Sequence, residues 1–332
     1  TFGGGTGTGT GSIRFNGGTF QASVATVAVT NHAGLTTVID GGGAIFDTPT
    51  GYTLTFNNPL TTGTGNGGLT KTGAGTLILT GSNTYDGVTT ISNGTVYLTG
   101  SYSGGGATAI SAGTFILNGL HSGTGAITAQ AGAVLSGTGI VNSATVAVES
   151  GGIVTSIRTP VPGVLTCTNL AFQAGGRVLC LVNGSNPTVR VTGELTTQTP
   201  VLVDLDLTNS PVVGRYTLVD YTNAVGGDGF NAFAIGDTPI RFNGYLTNNL
   251  DESSIDLVIT SVVPANLRWT GANSADWDLH VTTNWQAVAG GEPSVYLNED
   301  RVLFDDSADR FDVAIALPVF PGGVTISTAV SN

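Results

Sequence analysis

Apolar and polar positions alternate in short runs along this chain, and glycine or asparagine interrupts the runs every ~8–12 residues. GSIRFNGGTFQA, ATVAVTN, TTVIDGGGAIFDT and YTLTFNN set the rhythm from Gly11 to Asn58. Thr- and Val-rich runs of this kind suit strands, and the turns come too often to leave room for helices. The pattern predicts an all-β chain.

Between residues 60 and 159 the rhythm becomes a repeat. GTLILTG, GTVYLTG, GTFILNG and GAVLSGTG begin at Gly75, Gly94, Gly113 and Gly132, a constant step of 19 in the numbering, and one more such step reaches Gly151. That length fits one coil of a stacked parallel β-helix. The segment has no proline, as a ladder that uses every backbone N–H requires. One coil cannot bury its own apolar side chains, but coils stacked at ~4.8 Å form a continuous core. Leu77, Leu79, Val96, Leu98, Phe115, Leu117, Val134 and Ile153 are the candidates for it, and glycines at the corners permit positive φ.

Gly67 to Gly100 carries the densest signal. Its Leu69, Lys71, Gly73, Gly75, Leu77, Leu79, Gly81, Asn83, Tyr85, Gly87, Thr89, Ile91, Gly94 and Leu98 resemble the autotransporter-associated β-strand repeat. That family occurs in surface passenger domains and in very large secreted bacterial proteins. The resemblance implies a right-handed parallel β-solenoid on a cell surface and says little about chemistry. GGIVTSIRTPVPGVLTCTNLAFQAGGRVL continues the likeness as an end-of-helix segment, with Arg158 and Thr159 where Pro-Gly is commoner.

Three regions follow. Residues 1–200 are assigned to the solenoid. Residues 201–263 keep strong alternation (VLVDLDLT, RYTLVDYT, SIDLVIT) between longer polar loops and read as a less regular extension. Residues 264–332 form a small Trp-containing β module: Trp269, Trp277 and Trp285 fall close together, and the acidic NEDRVLFDDSADRFD follows. The composition of this third segment resembles the opening of a new repeat block.

Composition narrows the function classes. Charged residues are 10% of the chain and hydrophobic ones 40%, the reverse of a disordered protein. Residues 1–200 balance five acids with five bases, so the net charge of −12 lies wholly in residues 201–332. There is no basic patch for nucleic acid, and an anionic bilayer would repel the acidic half. No apolar run reaches the ~18 residues that a membrane span needs. The chain starts at Thr1 and has no methionine, which reads as a processed chain or a fragment.

Candidate chemistry is sparse. The five solenoid acids are scattered, whereas a polysaccharide-cleaving site needs clustered carboxylates. Asp305 and Asp306, within a cluster that also holds Glu299, Asp300, Asp309 and Asp312, are the positions to test for calcium; a solvated acidic loop is the simpler account. His32, His121 and His280 have no partners at zinc spacing. The tryptophans are read as the core of a small module in preference to a sugar-stacking face. Cys167 and Cys180 lie in neighbouring strand-like runs; a disulfide and two small core residues are the alternatives.

The expectation is therefore a secreted structural protein with no catalytic site and no cofactor: a rod, fibre or surface filament whose partner is its own copies, joined head to tail. Neither end shows a cap, and Thr1, Phe2, Thr325, Ile326 and Val330 are the assembly candidates. The alternatives are an adhesin with a carbohydrate or matrix ligand and a polysaccharide-active enzyme.

Overall fold

The computed structural model describes residues 10–29, 34–157, 163–182, 186–206, 212–236, 241–279, 281–327 and 329. Thr1, Phe2, His32, Arg158, Thr159, His280 and Val330 lie outside the described residues. The protein is all-β, and the only helical turn among the described residues is the 3₁₀ segment Phe230–Ala232.

Each coil crosses three strands. In one turn the chain runs through Leu60–Thr62, Leu69–Thr72 and Thr76–Leu79 before the next coil begins. Each strand pairs in parallel with its counterpart a coil away: Leu69 faces Thr89, Thr76 faces Thr95, and Ser82 faces Ser101. The face that starts at Thr26–Val29 is a single ladder of ten strands ending at Phe233–Ile235. The other two faces merge where Ile140–Val148 and Leu165–Phe172 run unbroken around a corner.

Period-2 alternation becomes a column of stacked side chains. Val27, Leu54, Leu77, Val96, Phe115, Leu135, Val154, Val178 and Val203 succeed one another in register and are all buried. At two rungs the inward residue is not the expected one. Thr95 pairs with Thr114 at the regular step, but Thr114 pairs with Val134, one position beyond it. One extra residue reverses the phase, because strand side chains alternate between faces. Leu135 and Val154 therefore take the inward positions expected of Val134 and Ile153. The regular step is also local: the next coils on this face, from Ile153 to Arg177 and on to Leu202, are longer.

Glycine is needed at two kinds of corner. Gly94 has φ 71°, which an L side chain resists. Gly119 lies so close to the coil before it that a Cβ would sit 1.8 Å from the Gly100 carbonyl oxygen.

The ends of the prism are built differently from its coils, and at the C-terminal end this corrects the expectation of an uncapped solenoid. Phe15, Phe20, Phe46 and Phe56 meet ring against ring at the N-terminal end, with centroids 4.8–6.4 Å apart. At the other end the parallel order stops. Ser254–Val262 lies antiparallel on Gly214–Tyr221, and Phe242–Asn249 lies antiparallel on Ser254–Val262. Beyond this hairpin the chain builds a five-stranded sheet with its own core of Leu267, Trp269, Trp277, Trp285, Tyr296 and Val302.

Candidate functional surfaces

The repeat-motif residues turn out to be internal. Leu69, Leu77, Leu79 and Leu98 are core side chains, and Gly73, Gly75 and Gly94 form corners of the coil. Asn83 is buried and fully used: it donates to the carbonyls of Gly81 and Ser101 and accepts from the Leu60 N–H at 3.0 Å. It thus ties three successive coils together.

Lys71 is fully buried. Its ammonium donates to the carbonyls of Thr72, Gly73 and Asn93, a cage of main-chain oxygens at a corner. Burial lowers its pKa to about 8, against the opposing pull of Asp47. Tyr85 points inward, its hydroxyl 2.7 Å from that of Thr89. Its ring lies tilted against Tyr102 at 5.0 Å, and Tyr102 lies tilted against His121 at 4.9 Å. Neither nitrogen of the His121 ring has a hydrogen-bond partner, and burial lowers its pKa to about 4. A cavity of about 10 Å³ beside this ladder is lined by Asn83, Thr89, Thr108 and His121 among others, too small for a sugar.

Several acids are engaged with arginines. Asp40 pairs with Arg14, Asp204 with Arg177, Asp220 with Arg190 and Asp256 with Arg215. The Thr64 amide, and then Arg14, hold Asp40 below the usual carboxylate range. Among the described residues no three His, Cys, Asp or Glu side chains converge as a metal would require.

The acidic cluster of the third region disperses in space. Asp305 accepts from Ser307, which lowers its pKa, and pairs with Arg268 at 3.1 Å. Asp306 accepts from the Ala329 amide at 2.6 Å. Asp300 is not solvated at all. It is fully buried, bound at 2.8 Å by Arg241 and at 2.7 Å by the amides of Ala265 and Leu297. No sequence signal marks this anchor, because Arg241 is distant along the chain and belongs to the preceding region.

The three tryptophans pack edge to face on one another and on Tyr296, with centroids 5.0–5.2 Å apart. Their faces are buried, so none is presented to a sugar. Cys167 and Cys180 are free thiols, so the disulfide is not formed. They lie on strands of different sheets, and burial pushes both up to about 12.

Residues 69–98 match the model of the passenger-associated-transport-repeat family. The matched stretch is the coil that holds the lysine cage, the Asn83 tie and the Tyr85 ring, so the passenger-associated repeat is here a packing unit. No curated protein matches the chain. No helix among the described residues is long and apolar enough to cross a membrane.

Of the assembly candidates, Thr325 and Ile326 are described. Both are exposed on Gly323–Ser327, the edge strand of the five-stranded sheet, which lies well outside the passenger-associated repeat.

Proposed function

We propose that this chain is a rigid β-solenoid segment of a surface-exposed or secreted passenger-type protein, and that its work is architectural: it holds length and spacing outside the cell. The observation that carries this reading is the unbroken core column from Val27 to Val203. A column of this kind extends with each added coil and stiffens one axis. The match of residues 69–98 to the passenger-associated-transport-repeat supports a surface or secreted location.

No catalytic step is part of this reading. The five acids of residues 1–200 are scattered, Asp40 among them is paired with Arg14, and the cavity beside the aromatic ladder has no room for a saccharide. Small-angle X-ray scattering of the purified chain tests the proposal. Ten rungs at ~4.8 Å predict a rod with a solenoid axis of ~50 Å and constant cross-section, with the C-terminal module adding to it. A compact, isotropic particle would overturn the reading.

A further inference from the structure

The corner that leads into the strand Thr95–Leu98 is made of Asn93 and Gly94. The fold dictates Gly94: its φ is 71°, and a Cβ there would sit 2.4 Å from the Gly75 carbonyl oxygen. Nothing comparable dictates Asn93. It stands two residues before Thr95, as Ala74 stands before Thr76 and Ala112 before Thr114, and those threonines are its partners in the adjoining coils. Alanine therefore builds the same corner in the coil before and the coil after. Asn93 is exposed, and among the described residues its Nδ2 has no hydrogen-bond partner.

The contacts of this pair are reactive ones. The Gly94 N–H donates to Oδ1 of Asn93 at 2.7 Å, and among the described residues it donates to no main-chain carbonyl. The backbone nitrogen is thus held beside the side-chain amide of the residue before it, and glycine puts no side chain in the way. From the interior, the Lys71 ammonium donates to the Asn93 carbonyl oxygen at 3.4 Å. That oxygen and the Gly94 nitrogen belong to one peptide unit, so the positive charge eases loss of the N–H proton. The other Asn-Gly pairs lack this arrangement. The Gly17 and Gly119 amides are tied to the carbonyls of Gly43 and Leu98 at 2.8 and 2.9 Å, and Oδ1 of Asn16 and Asn118 accepts from Gly42 and Thr138 instead. Asn243 is held through its Nδ2 by Ser261 at 2.8 Å. Asn66 is exposed, but among the described residues no hydrogen bond turns its side chain onto the Gly67 amide. Asn183 lies outside the described residues.

We propose that Asn93 is a self-modification site: the folded chain converts it, with water as the only co-reactant, to aspartate and isoaspartate, and the isoaspartyl form loosens the coil. The Gly94 nitrogen gives its proton to solvent and bonds to Cγ of Asn93. The Cγ–Nδ2 bond breaks, and Nδ2 takes up a proton and leaves as ammonia. Water then opens the cyclic imide at one carbonyl or the other. Opening at the Asn93 main-chain carbonyl sends the backbone through the former side chain and adds one carbon to its length. This corner has no slack for it. Gly94 lies against the carbonyls of Gly75 and Gly73, and Thr95–Leu98 is locked in register to a strand on either side. Preorganisation sets the rate, since holding two groups of one chain together removes most of the entropic barrier to their reaction. The proposal does not depend on the rod reading.

The test ages the whole chain in mildly alkaline buffer, folded in one arm and in denaturant in the other, and follows each asparagine by peptide mass spectrometry. In the folded arm Asn93 is expected to convert first, at least ~10-fold faster than Asn16, Asn66, Asn118 or Asn243. In denaturant, where only the local sequence acts, the Asn-Gly pairs should converge to similar rates. Another asparagine converting first in the folded chain, or the same ranking in both arms, would overturn the proposal. Asn93→Ala is the control, because Ala112 shows that the corner accepts it. The unfolding temperature should fall as the unaltered chain ages and stay constant in Asn93→Ala. An aged chain rich in isoaspartate at position 93 that unfolds like a fresh one would overturn the claim that the coil loosens.

Discussion

The passenger-associated repeat and the C-terminal module bury their apolar residues in opposite ways. Around residues 69–98 every inward side chain has a rung above and below it, and even Lys71 and Asn83 find all their partners in the main chain. The core is thin, built mainly of aliphatic side chains with the Tyr85 ring among them. The module concentrates three tryptophans in one cluster and leaves Val324 and Ile326 exposed on its edge strand. The contrast teaches that a stacked fold is finished by what covers its edges, because each rung is identical in kind to the next. The hairpin ends one stack; nothing among the described residues ends the other.

The contrast can be broken most sharply by putting the same charge into both regions. Leu98→Asp buries an unpaired carboxylate in the column and should cost at least ~4 kcal/mol, read by thermal or denaturant unfolding. Ile326→Asp makes the same chemical change on the exposed edge strand and should move the stability of the isolated chain by no more than ~0.5 kcal/mol. Equal losses at the two positions would mean that the strand is covered in solution.

Asp300→Ala comes next. It strands Arg241 and the amides of Ala265 and Leu297, and loss of one partner from a buried ion pair costs about 3–5 kcal/mol. The loss should appear in tryptophan emission, since the affected core is the module's. A transition confined to far-UV signal, with the tryptophan signal intact, would place the damage in the solenoid instead.

The pH dependence runs the other way, through the solenoid. His121 has a pKa of about 4 in the fold against an ordinary 6.5. Below pH 6.5 the unfolded chain takes up a proton that the folded chain refuses, so stability falls as pH drops from about 6.5 to about 4. The full loss is about 3 kcal/mol. Below about pH 4 this contribution no longer changes. His121→Phe keeps the aromatic ladder and should flatten the unfolding profile across that window.

A smaller effect distinguishes two glycines. Gly119→Ala drives a methyl into the Gly100 carbonyl and should cost ~2 kcal/mol or more, because the neighbour is backbone and cannot step aside. Gly132→Ala meets nothing within 4 Å and should cost only the ~1 kcal/mol of its positive φ.

Much of the stack was legible because its information is local. Period-2 alternation, glycine at each corner and the step from Gly75 to Gly94 to Gly113 are written within single coils, and the register follows from them. The tryptophan core was legible from clustering alone. Other features depend on residues far apart. The extra residue before Val134 is invisible as spacing, since Gly132 keeps the regular step while its strand slips by one. The Phe15, Phe20, Phe46 and Phe56 plug joins residues from successive coils. The most misleading case is Asp300: it sits in a run of acids that looks solvated, and only the return of Arg241 from another region makes it a buried anchor. The motif residues were read correctly as a repeat, but their roles as cage, tie and ladder require neighbours that the motif does not contain.

The three-strand coil also has a consequence under load. If the two ends of such a rod were pulled apart, the ladders would open one turn at a time, because each turn is bonded only to its neighbours. A turn such as the one from Thr76 to Thr95 shortens the chain to one ~4.8 Å step, yet it releases ~65 Å of extended backbone when it comes free. Each opened turn would therefore lengthen the tether more than tenfold over its folded contribution. A stack of this design is stiff at rest and lengthens stepwise under tension.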